Sequence, residues 1–249
     1  MSPKVTIVIA TYNSERTLAV AMESVLSQTF QDWECLIIDG ASTDGTIDII
    51  RRYVNSDNRF RYISEPDKGI YDAFNKGWRN ATGEWIMYLG SDDEYLPNGL
   101  EILMSQCDDV DMIYGDVIIK WPNGFEKSRK AGPVENIING GPNSLSHQSF
   151  AMRMNVIDKM LGFDLNKYKI LADFDLMVRS CHDGYSCKHV NGFISKFSKG
   201  GYSQSTYRTD IEAVKIYSRY NNILLSFKYF VRRIVLRFLY NTKDKYFRR

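Results

Sequence analysis

The chain has 249 residues, of which 44% are hydrophobic and 25% charged, values that exclude a disordered, collagen-like or disulfide-dense protein. Four scattered cysteines predict neither a disulfide framework nor a CxxC zinc site, and free thiols are typical of a reducing cytoplasm. The net charge of +2 conceals an asymmetry, since residues 211–249 carry ten Lys or Arg against two Asp or Glu and the preceding part is net acidic.

Strand-like and helix-like runs alternate over the first 120 residues. Strands are predicted over residues 4–10, 33–39, 60–64, 85–89 and 110–120, and helices over residues 14–28, 43–54, 69–81 and 97–105. A Pro-Asn-Gly turn at residues 122–124 predicts a hairpin after the fifth strand. This order predicts a doubly wound α/β sheet with right-handed crossovers.

Beyond residue 132 the pattern is less regular. It predicts a strand over residues 147–153, a helix over 173–183 and short strands over 188–197. At the end of the chain, apolar residues between 223 and 238 share one helical face, and Lys228, Arg232, Arg233 and Arg237 lie on the other. Such a basic amphipathic helix has two interpretations: an element on an anionic membrane surface, or a helix packed on the domain.

The apolar segments also bear on location and partners. The run over residues 5–10 is too short for a signal peptide, and no stretch reaches the length of a membrane-spanning helix. We therefore expect a cytoplasmic protein, in the membrane interpretation a peripheral one on the inner face of the cytoplasmic membrane. Nucleic acid is not an expected partner, because the body is acidic and carries no recognition motif.

Polar residues follow each of the first four predicted strands, at 11–13, 39–45, 65–69 and 90–94. One such loop is typical of an ordinary turn, but four at the same edge of a sheet indicate a ligand site. In the last loop, Asp92 and Asp93 would suit a hard divalent cation bound together with phosphates. The alternative is an acidic pair that stabilises the start of the following helix. Phosphate-loop, dinucleotide, HExxH and nucleophile-elbow motifs are absent.

Several segments together resemble family 2 glycosyltransferases, which have the GT-A fold, a Rossmann-like, doubly wound mixed sheet. These are TIVIATYN (6–13), SVLSQTF (24–30), IDGASTDG (38–45), EPDKGIYDAFNKG (65–77) and YLGSDD (88–93). ADFDLMVR (172–179) resembles the second acidic motif of the family, and GGYS (200–203) the loop that follows it. The chain departs from the family pattern at Gly90, where the first Asp of an Asp-x-Asp motif is usual, and at Ala172, where Glu is common.

The resemblance implies roles for individual residues. Asp173 corresponds to the catalytic base, and Asp92 and Asp93 to the site of a Mn²⁺ or Mg²⁺ cofactor. His147 and Gly201 correspond to positions near the acceptor and sugar. The nucleotide-binding positions are Thr11, Tyr12, Asn13, Asp39, Asp67, Lys68, Ser91 and Asp92.

The resemblance further implies an inverting, metal-dependent transfer of one sugar from a nucleotide-sugar donor, expected to be UDP-linked, to a saccharide acceptor. The expected setting is bacterial surface polysaccharide assembly, such as O-antigen or capsule, with the acceptor on a polyprenyl pyrophosphate lipid. We expect a GT-A domain over residues 1–210, with a nucleotide-binding half (1–120) and an acceptor-binding half (121–210), and C-terminal amphipathic helices over 211–249. Two alternatives stay open: a nucleotidyltransferase, although the first loop is not Gly-rich and basic, and an inactive nucleotide- or carbohydrate-binding module, because of Gly90.

Overall fold

The computed structural model describes residues 2–139, 145–200 and 207–220, together with seven positions between 224 and 235. Within these ranges the strands are β1 (Val5–Thr11), β2 (Trp33–Asp39), β3 (Phe60–Ser64), β4 (Trp85–Gly90), β5 (Glu94–Tyr95), β6 (Met112–Lys120), β7 (Glu126–Arg129), β8 (Phe150–Arg153) and β9 (Cys187–Ser198). The helices are α1 (Leu18–Leu26), α2 (Thr46–Ser56), α3 (Ile70–Asn80), α4 (Gly99–Met104), α5 (Val134–Asn139), α6 (Met154–Met160), α7 (Ala172–His182) and α8 (Tyr207–Tyr220).

All of these strands belong to one mixed sheet with the order β3-β2-β1-β4-β8-β6-β9-β5, and β7 pairs with β6. The first four strands are parallel to one another. β8 is antiparallel to both β4 and β6 and so joins the parallel part of the sheet to the remaining strands. The sheet is therefore the doubly wound, mixed GT-A type that the sequence predicts.

Alternate side chains of the central strands pack into two separate cores. Val8 and Tyr88 face one layer with α3, α6, α7 and α8, whereas Ile7 and Met87 face the other with α1, α2 and α4. These strands are buried on both faces, which explains why they read as continuous apolar runs. The sheet is thus held between two helical layers, and the ends of its strands are left to form a site.

The structure corrects several predicted boundaries. α1 and α2 begin three to four residues later than expected, at Leu18 and Thr46. Residues 147–149 form a 3-10 turn instead of strand, because the amide of Ser149 bonds back to the carbonyl of Ser146. The short strands expected over 188–197 are one long strand, β9. The hairpin at 122–124 is confirmed by the pairing of β6 with β7.

The C-terminal predictions are tested only in part. α8 spans the predicted boundary at residue 210, and most of the predicted amphipathic helix lies outside the described residues. Among the residues that are described, no helix combines the length and apolar character needed to span a bilayer. The division into domain and tail stays a prediction.

Candidate active site

The four polar loops meet at one edge of the sheet, as expected. Thr11 is in register with Asp39, Asp39 with Ser64, and Ala10 with Gly90, so the parallel strands end side by side. In a doubly wound sheet this is the edge beyond which ligands bind.

The loops after β1, β2 and β4 are bonded to one another. Asn13, in the left-handed region with φ 48°, donates its amide to Ser42 Oγ at 2.8 Å. Its side-chain Oδ1 accepts the amide of Thr43 at 2.9 Å. Ser14 Oγ lies 2.8 Å from Ser91 Oγ in the loop after β4. Asn13 and Ser91 therefore join neighbouring loops, and their predicted nucleotide contacts remain predictions.

Asp39 is fully buried beneath these loops. Its carboxylate accepts hydrogen bonds from the amide and hydroxyl of Ser42 and from Ser64 Oγ at 2.7 Å. Three of the roughly four lone-pair positions of the carboxylate are thus taken by protein donors. The observed role of Asp39 is to hold the loop after β2, and its contact with uracil stays a prediction.

A cleft of about 1160 Å³ opens above this edge. Five predicted nucleotide-binding residues line it: Thr11, Tyr12, Asp67, Lys68 and Ser91. The Tyr12 side chain is 62% exposed, which leaves its ring free to stack on a planar ligand. The opposite wall comes from α3, the 160–169 loop and the end of α8. The cleft has the size and mixed lining of a small-molecule site.

Gly40 allows the two sides of the nucleotide-binding part of the cleft to approach closely. A Cβ at this position would lie 2.7 Å from Asp67 Oδ2 and 3.3 Å from Tyr12 Cδ2. Asp67 is fixed further by its Oδ1, which accepts the amide of Gly69 at 2.8 Å. The side chain of Lys68 is exposed at the same rim. Asp67 and Tyr12 therefore form a narrow part of the cleft, with the positively charged side chain of Lys68 at its rim.

The carboxylates of Asp92 and Asp93 converge over the backbone of Gly90. A Cβ on Gly90 would lie 2.8 Å from Asp93 Oδ2 and 3.0 Å from Asp92 Oδ1. Asp93 is buried and accepts hydrogen bonds from Gln148 Nε2 at 2.7 Å and the amide of Ser198 at 2.9 Å. A side chain at position 90 would therefore have to move the carboxylate oxygens of this pair from their present places.

Burial raises the pKa of Asp93 to about 6, and the nearby charge of Asp92 contributes to the rise. Desolvation also raises the pKa of the more exposed Asp92. Two adjacent carboxylates with raised pKa values are poised to gain from a cation, because it offsets their repulsion. Positive charge at this pair would lower both pKa values.

The pair fits a Mg²⁺ or Mn²⁺ ion that is also held by substrate phosphates. Each Asp93 oxygen accepts one protein hydrogen bond and so keeps a lone pair for a cation. Within the described part of the chain, no group of three His, Cys, Asp or Glu side chains forms a cation site alone. One or two carboxylates plus phosphate oxygens are the usual ligands of such ions, so this arrangement suits a cation that arrives with a nucleotide.

Asp173, at the start of α7, is paired with His147. Its Oδ2 lies 2.9 Å from His147 Nδ1, and its Oδ1 accepts the amide of Phe174 at 2.8 Å. Tyr71 Oη shares its proton between Asp173 Oδ1 at 2.9 Å and the carbonyl of Ile170 at 2.7 Å. The Asp173 carboxylate is thus fixed from three directions.

The two partners shift each other's pKa. Burial alone would raise the pKa of Asp173, but the hydrogen bond and charge of His147, with Tyr71 and Phe174, hold it below its usual value. Burial would lower the pKa of His147, yet Asp173 and the nearby charges of Asp93 and Asp92 raise it overall. Asp173 is therefore ionised at neutral pH, and His147 lies within electrostatic reach of both Asp173 and the Asp92–Asp93 pair.

The sequence predicted no role for Tyr71, and it placed Gln148 with His147 near the sugar and acceptor without its contact to Asp93. Tyr71 belongs to the segment 65–77 that resembles the family, and Gln148 directly follows His147, so position was the one available signal. His147 was predicted near the acceptor, but its Nδ1 is engaged by Asp173. That acceptor role stays a prediction, and Gly201 lies outside the described residues.

Comparisons with known proteins agree with this geometry. The model of glycosyl transferase family 2 matches residues 6–164. A PGL/p-HBAD biosynthesis glycosyltransferase of Mycobacterium bovis (strain BCG / Pasteur 1173P2) is 30% identical over 188 residues, covering 72% of this chain and 70% of its own.

Two solved structures share the fold at low sequence identity. The Pyrobaculum calidifontis mannosyltransferase PcManGT, in complex with GDP-Man and Mn²⁺, matches with a TM-score of 0.69 at 19% identity over 92% of this chain and 70% of its own. S. aureus TarS 1-349 in complex with UDP-GlcNAc matches with a TM-score of 0.65 at 19% identity over 86% of this chain and 64% of its own. The match spans 39% of a longer TarS chain. With the family model covering more than half of its length, the chain belongs to glycosyl transferase family 2.

Proposed function

We propose that this chain is an inverting glycosyltransferase that moves one sugar from a UDP-linked donor to a saccharide acceptor in bacterial surface polysaccharide biosynthesis. The observation that carries the proposal is the ionised carboxylate of Asp173, which three protein donors fix. Its partner His147 also feels the charges of Asp92 and Asp93. Such a pairing of a fixed base with a cation site is what glycosyl transfer from a nucleotide diphosphate needs.

The donor would occupy the cleft above the strand ends. Tyr12 would stack on the base, Thr11, Asp67 and Ser91 would line its seat, and Lys68 would neutralise phosphate charge. The ligands of PcManGT and TarS are GDP-Man with Mn²⁺ and UDP-GlcNAc respectively, and we extend a nucleotide-sugar donor to this chain. A cation at Asp92 and Asp93 would stabilise the charge that develops on the diphosphate.

The reaction would proceed by direct displacement. Asp173 would take the proton of the acceptor hydroxyl while the oxygen of that hydroxyl forms a bond to the anomeric carbon of the donor. The bond from that carbon to the donor phosphate breaks at the opposite face, and its electron pair leaves with the nucleoside diphosphate. Displacement from the opposite face inverts the anomeric configuration, and Asp173 later loses its proton to solvent.

The acceptor and the cellular location belong to the same proposal. We propose a saccharide carried on a polyprenyl pyrophosphate and a peripheral position on the inner face of the cytoplasmic membrane. The support is the basic, amphipathic pattern of residues 223–238, which suits an anionic lipid surface.

Calorimetric titration of UDP, GDP and CMP, each with and without Mn²⁺, tests the donor and the cation together. We expect UDP to bind tightly only when Mn²⁺ is present. We expect this Mn²⁺-dependent binding to be lost in Asp92→Ala. Asp48→Ala, which removes an exposed carboxylate on α2, is the matched control and should bind as wild type does. Failure of every nucleotide to bind would overturn the proposal in favour of an inactive module.

The base is tested separately by Asp173→Asn. Because the amide cannot take a proton, we expect transfer to fall at least about 100-fold, the lower range of general base contributions. Donor affinity should stay nearly unchanged, since Asp173 does not line the nucleotide cleft. A large loss of donor binding in the same calorimetric assay would contradict the assignment.

A further inference from the structure

His147 has one ring nitrogen on Asp173 and the other buried against a small, mostly apolar cavity. Nε2 is buried and makes no hydrogen bond to any described residue. The cavity measures about 20 Å³ and is lined by His147, Asp173 and Tyr88, among aromatic and aliphatic side chains. The Tyr88 hydroxyl is likewise buried without a described partner, and the cavity is large enough for one bridging water. Because Nε2 is buried, it is not exposed to the cleft and cannot act there as a base.

The hydrogen-bond inventory decides which way the His147–Asp173 bond runs. An ionised carboxylate has acceptors only, so Nδ1 of His147 must carry the proton that lies between the two groups. This holds for a neutral ring and for an imidazolium. Phe74 fixes the ring plane by an edge contact, with centroids 5.9 Å apart.

A carboxylate offers about four lone-pair positions. Oδ1 of Asp173 uses both of its positions, on the Phe174 amide and the Tyr71 hydroxyl. Oδ2 uses one on His147 Nδ1. Counting donors from the described residues alone, one position on Oδ2 is left, and which of the two it is depends on where the imidazole sits.

We propose that His147 is a positioning residue for Asp173: its Nδ1–H occupies one lone pair of Oδ2, so that the other, which the described residues leave open, takes the acceptor proton. The proposal rests on the proposed function, in which Asp173 is the base. His147 acts through Asp173 and touches neither donor nor acceptor in this role.

The proton position can be measured without any reaction. The chain has three histidines, so ¹⁵N-histidine labelling and long-range ¹H–¹⁵N spectra give a simple pattern. We expect Nδ1 of His147 to stay protonated from about pH 6 to 9. His189 is an internal contrast, because its Nε2 lies 3.0 Å from Asp116 Oδ1 and should carry the proton there. The signals of His147 are identified by their loss in His147→Asn, and an unprotonated Nδ1 at the upper pH would overturn the proposal.

Kinetics of two matched variants test the positioning. The amide nitrogen of Asn can take the place of Nδ1, whereas that of Gln reaches toward the place of Nε2. The reaction followed is release of UDP, with water as acceptor, from whichever of UDP-glucose, UDP-galactose and UDP-N-acetylglucosamine wild type cleaves fastest. We expect kcat to fall about 100-fold in His147→Gln and less than about tenfold in His147→Asn, at equal KM for the donor.

Equal losses of kcat in the two variants, at equal melting temperature, would overturn the proposal. A double-mutant cycle adds a second criterion: in the Asp173→Asn background, His147→Gln should cost nothing further, since residues that act as a unit are not additive. If Asp173→Asn alone leaves kcat unchanged, the proposed base fails. If no donor is cleaved, the proposed activity fails and the positioning role with it, whereas a cleaved donor together with an unprotonated Nδ1 overturns the positioning role alone.

Discussion

The buried carboxyl of Asp93 ties cation binding to pH. Its pKa of about 6 in the folded chain lies above the ordinary value of 3.8, so folding favours the protonated form of this group relative to the unfolded chain. The stability gained from this group is complete below about pH 4 and is lost as pH rises through about 6. A cation requires the ionised form, so Mn²⁺ should bind and stabilise the protein only above that range.

We therefore expect Mn²⁺, added in the presence of UDP, to raise the melting temperature at about pH 7.5 and to have little effect at about pH 5. Differential scanning fluorimetry with and without Mn²⁺ measures this shift at both pH values. Asp93→Asn is the matched variant and should show no Mn²⁺ shift at either pH. Equal shifts of the wild-type protein at both pH values would contradict the expectation.

Gly90 is a residue whose role could not be inferred from the sequence. In the sequence it is a departure from the Asp-x-Asp motif and raises the alternative of an inactive module. In the structure its missing Cβ is the space in which Asp92 and Asp93 converge. Types and loop positions of site residues could be predicted from the motifs, whereas the contacts of Tyr71 and Gln148 could not, because they cross 102 and 55 residues of sequence.

The packing of α3 on β1 depends on a second glycine, Gly77. A Cβ there would lie 2.9 Å from Val8 Cγ2 and closer still to Val8 Cγ1. Gly77→Ala should therefore destabilise the protein by about 1–3 kcal/mol, as overpacked cores do. That loss would outweigh the gain of about 1 kcal/mol that alanine offers in a helix.

Urea denaturation of a double-mutant cycle tests the contact between α3 and β1. Val8→Ala removes both methyl groups that Gly77→Ala would meet, so the double variant should be about as stable as Val8→Ala alone. Losses that simply add would show that the two positions do not interact.

α8 supports the start of α7 through Glu212. Its carboxylate accepts the amides of Lys169 at 3.0 Å and of Ile170 and Leu171 at 2.9 Å each. α7 has no side-chain cap of its own, and Glu212 satisfies the amide of its N-cap residue Leu171 and the two amides that precede it. The same segment carries the carbonyl of Ile170 that holds Tyr71.

Glu212→Ala should lower the free energy of unfolding by about 1–3 kcal/mol, the cost of leaving such groups unsatisfied. Glu212→Gln keeps one acceptor oxygen and should lose less. Lys215→Ala, at an exposed position of the same helix, is the control in chemical denaturation. A loss in Glu212→Ala no larger than in Lys215→Ala would contradict this role.

The bounds of strands and helices could be predicted where the hydrophobic pattern is regular. They could not be predicted where contacts between loops decide where a helix begins. β2 and β3 match their predicted bounds because continuous apolar runs identify buried strands. α1 and α2 start late because Ser14 and Thr43, the predicted first residues, bond to Ser91 and Asn13 in other loops instead of capping their own helices. Only the assembled sheet brings those partners together.

At the scale of the whole chain, charge is divided between an acidic body and a basic C-terminal segment. Combined reversal of Lys228, Arg232, Arg233 and Arg237 to Glu should weaken binding to vesicles with anionic lipid by more than tenfold, since each such cation contributes about 1 kcal/mol. Sedimentation with anionic and with neutral vesicles at two salt concentrations measures the effect. Reversal of Arg51 and Arg52 on α2 is the control, and an unchanged affinity in the fourfold variant would rule out the membrane interpretation.

The bonds among the loops after β1, β2 and β4 have a consequence for how a ligand is chosen. Because Asn13 and Ser14 already join these loops, a nucleotide would meet a seat whose shape is set in advance. Little ordering entropy would then be lost on binding, and more of the contact energy would appear as affinity. A rigid site discriminates between nucleotides by excluding bases that do not fit its shape. Because the three loops are bonded to one another, a change of base preference would require exchanging them together.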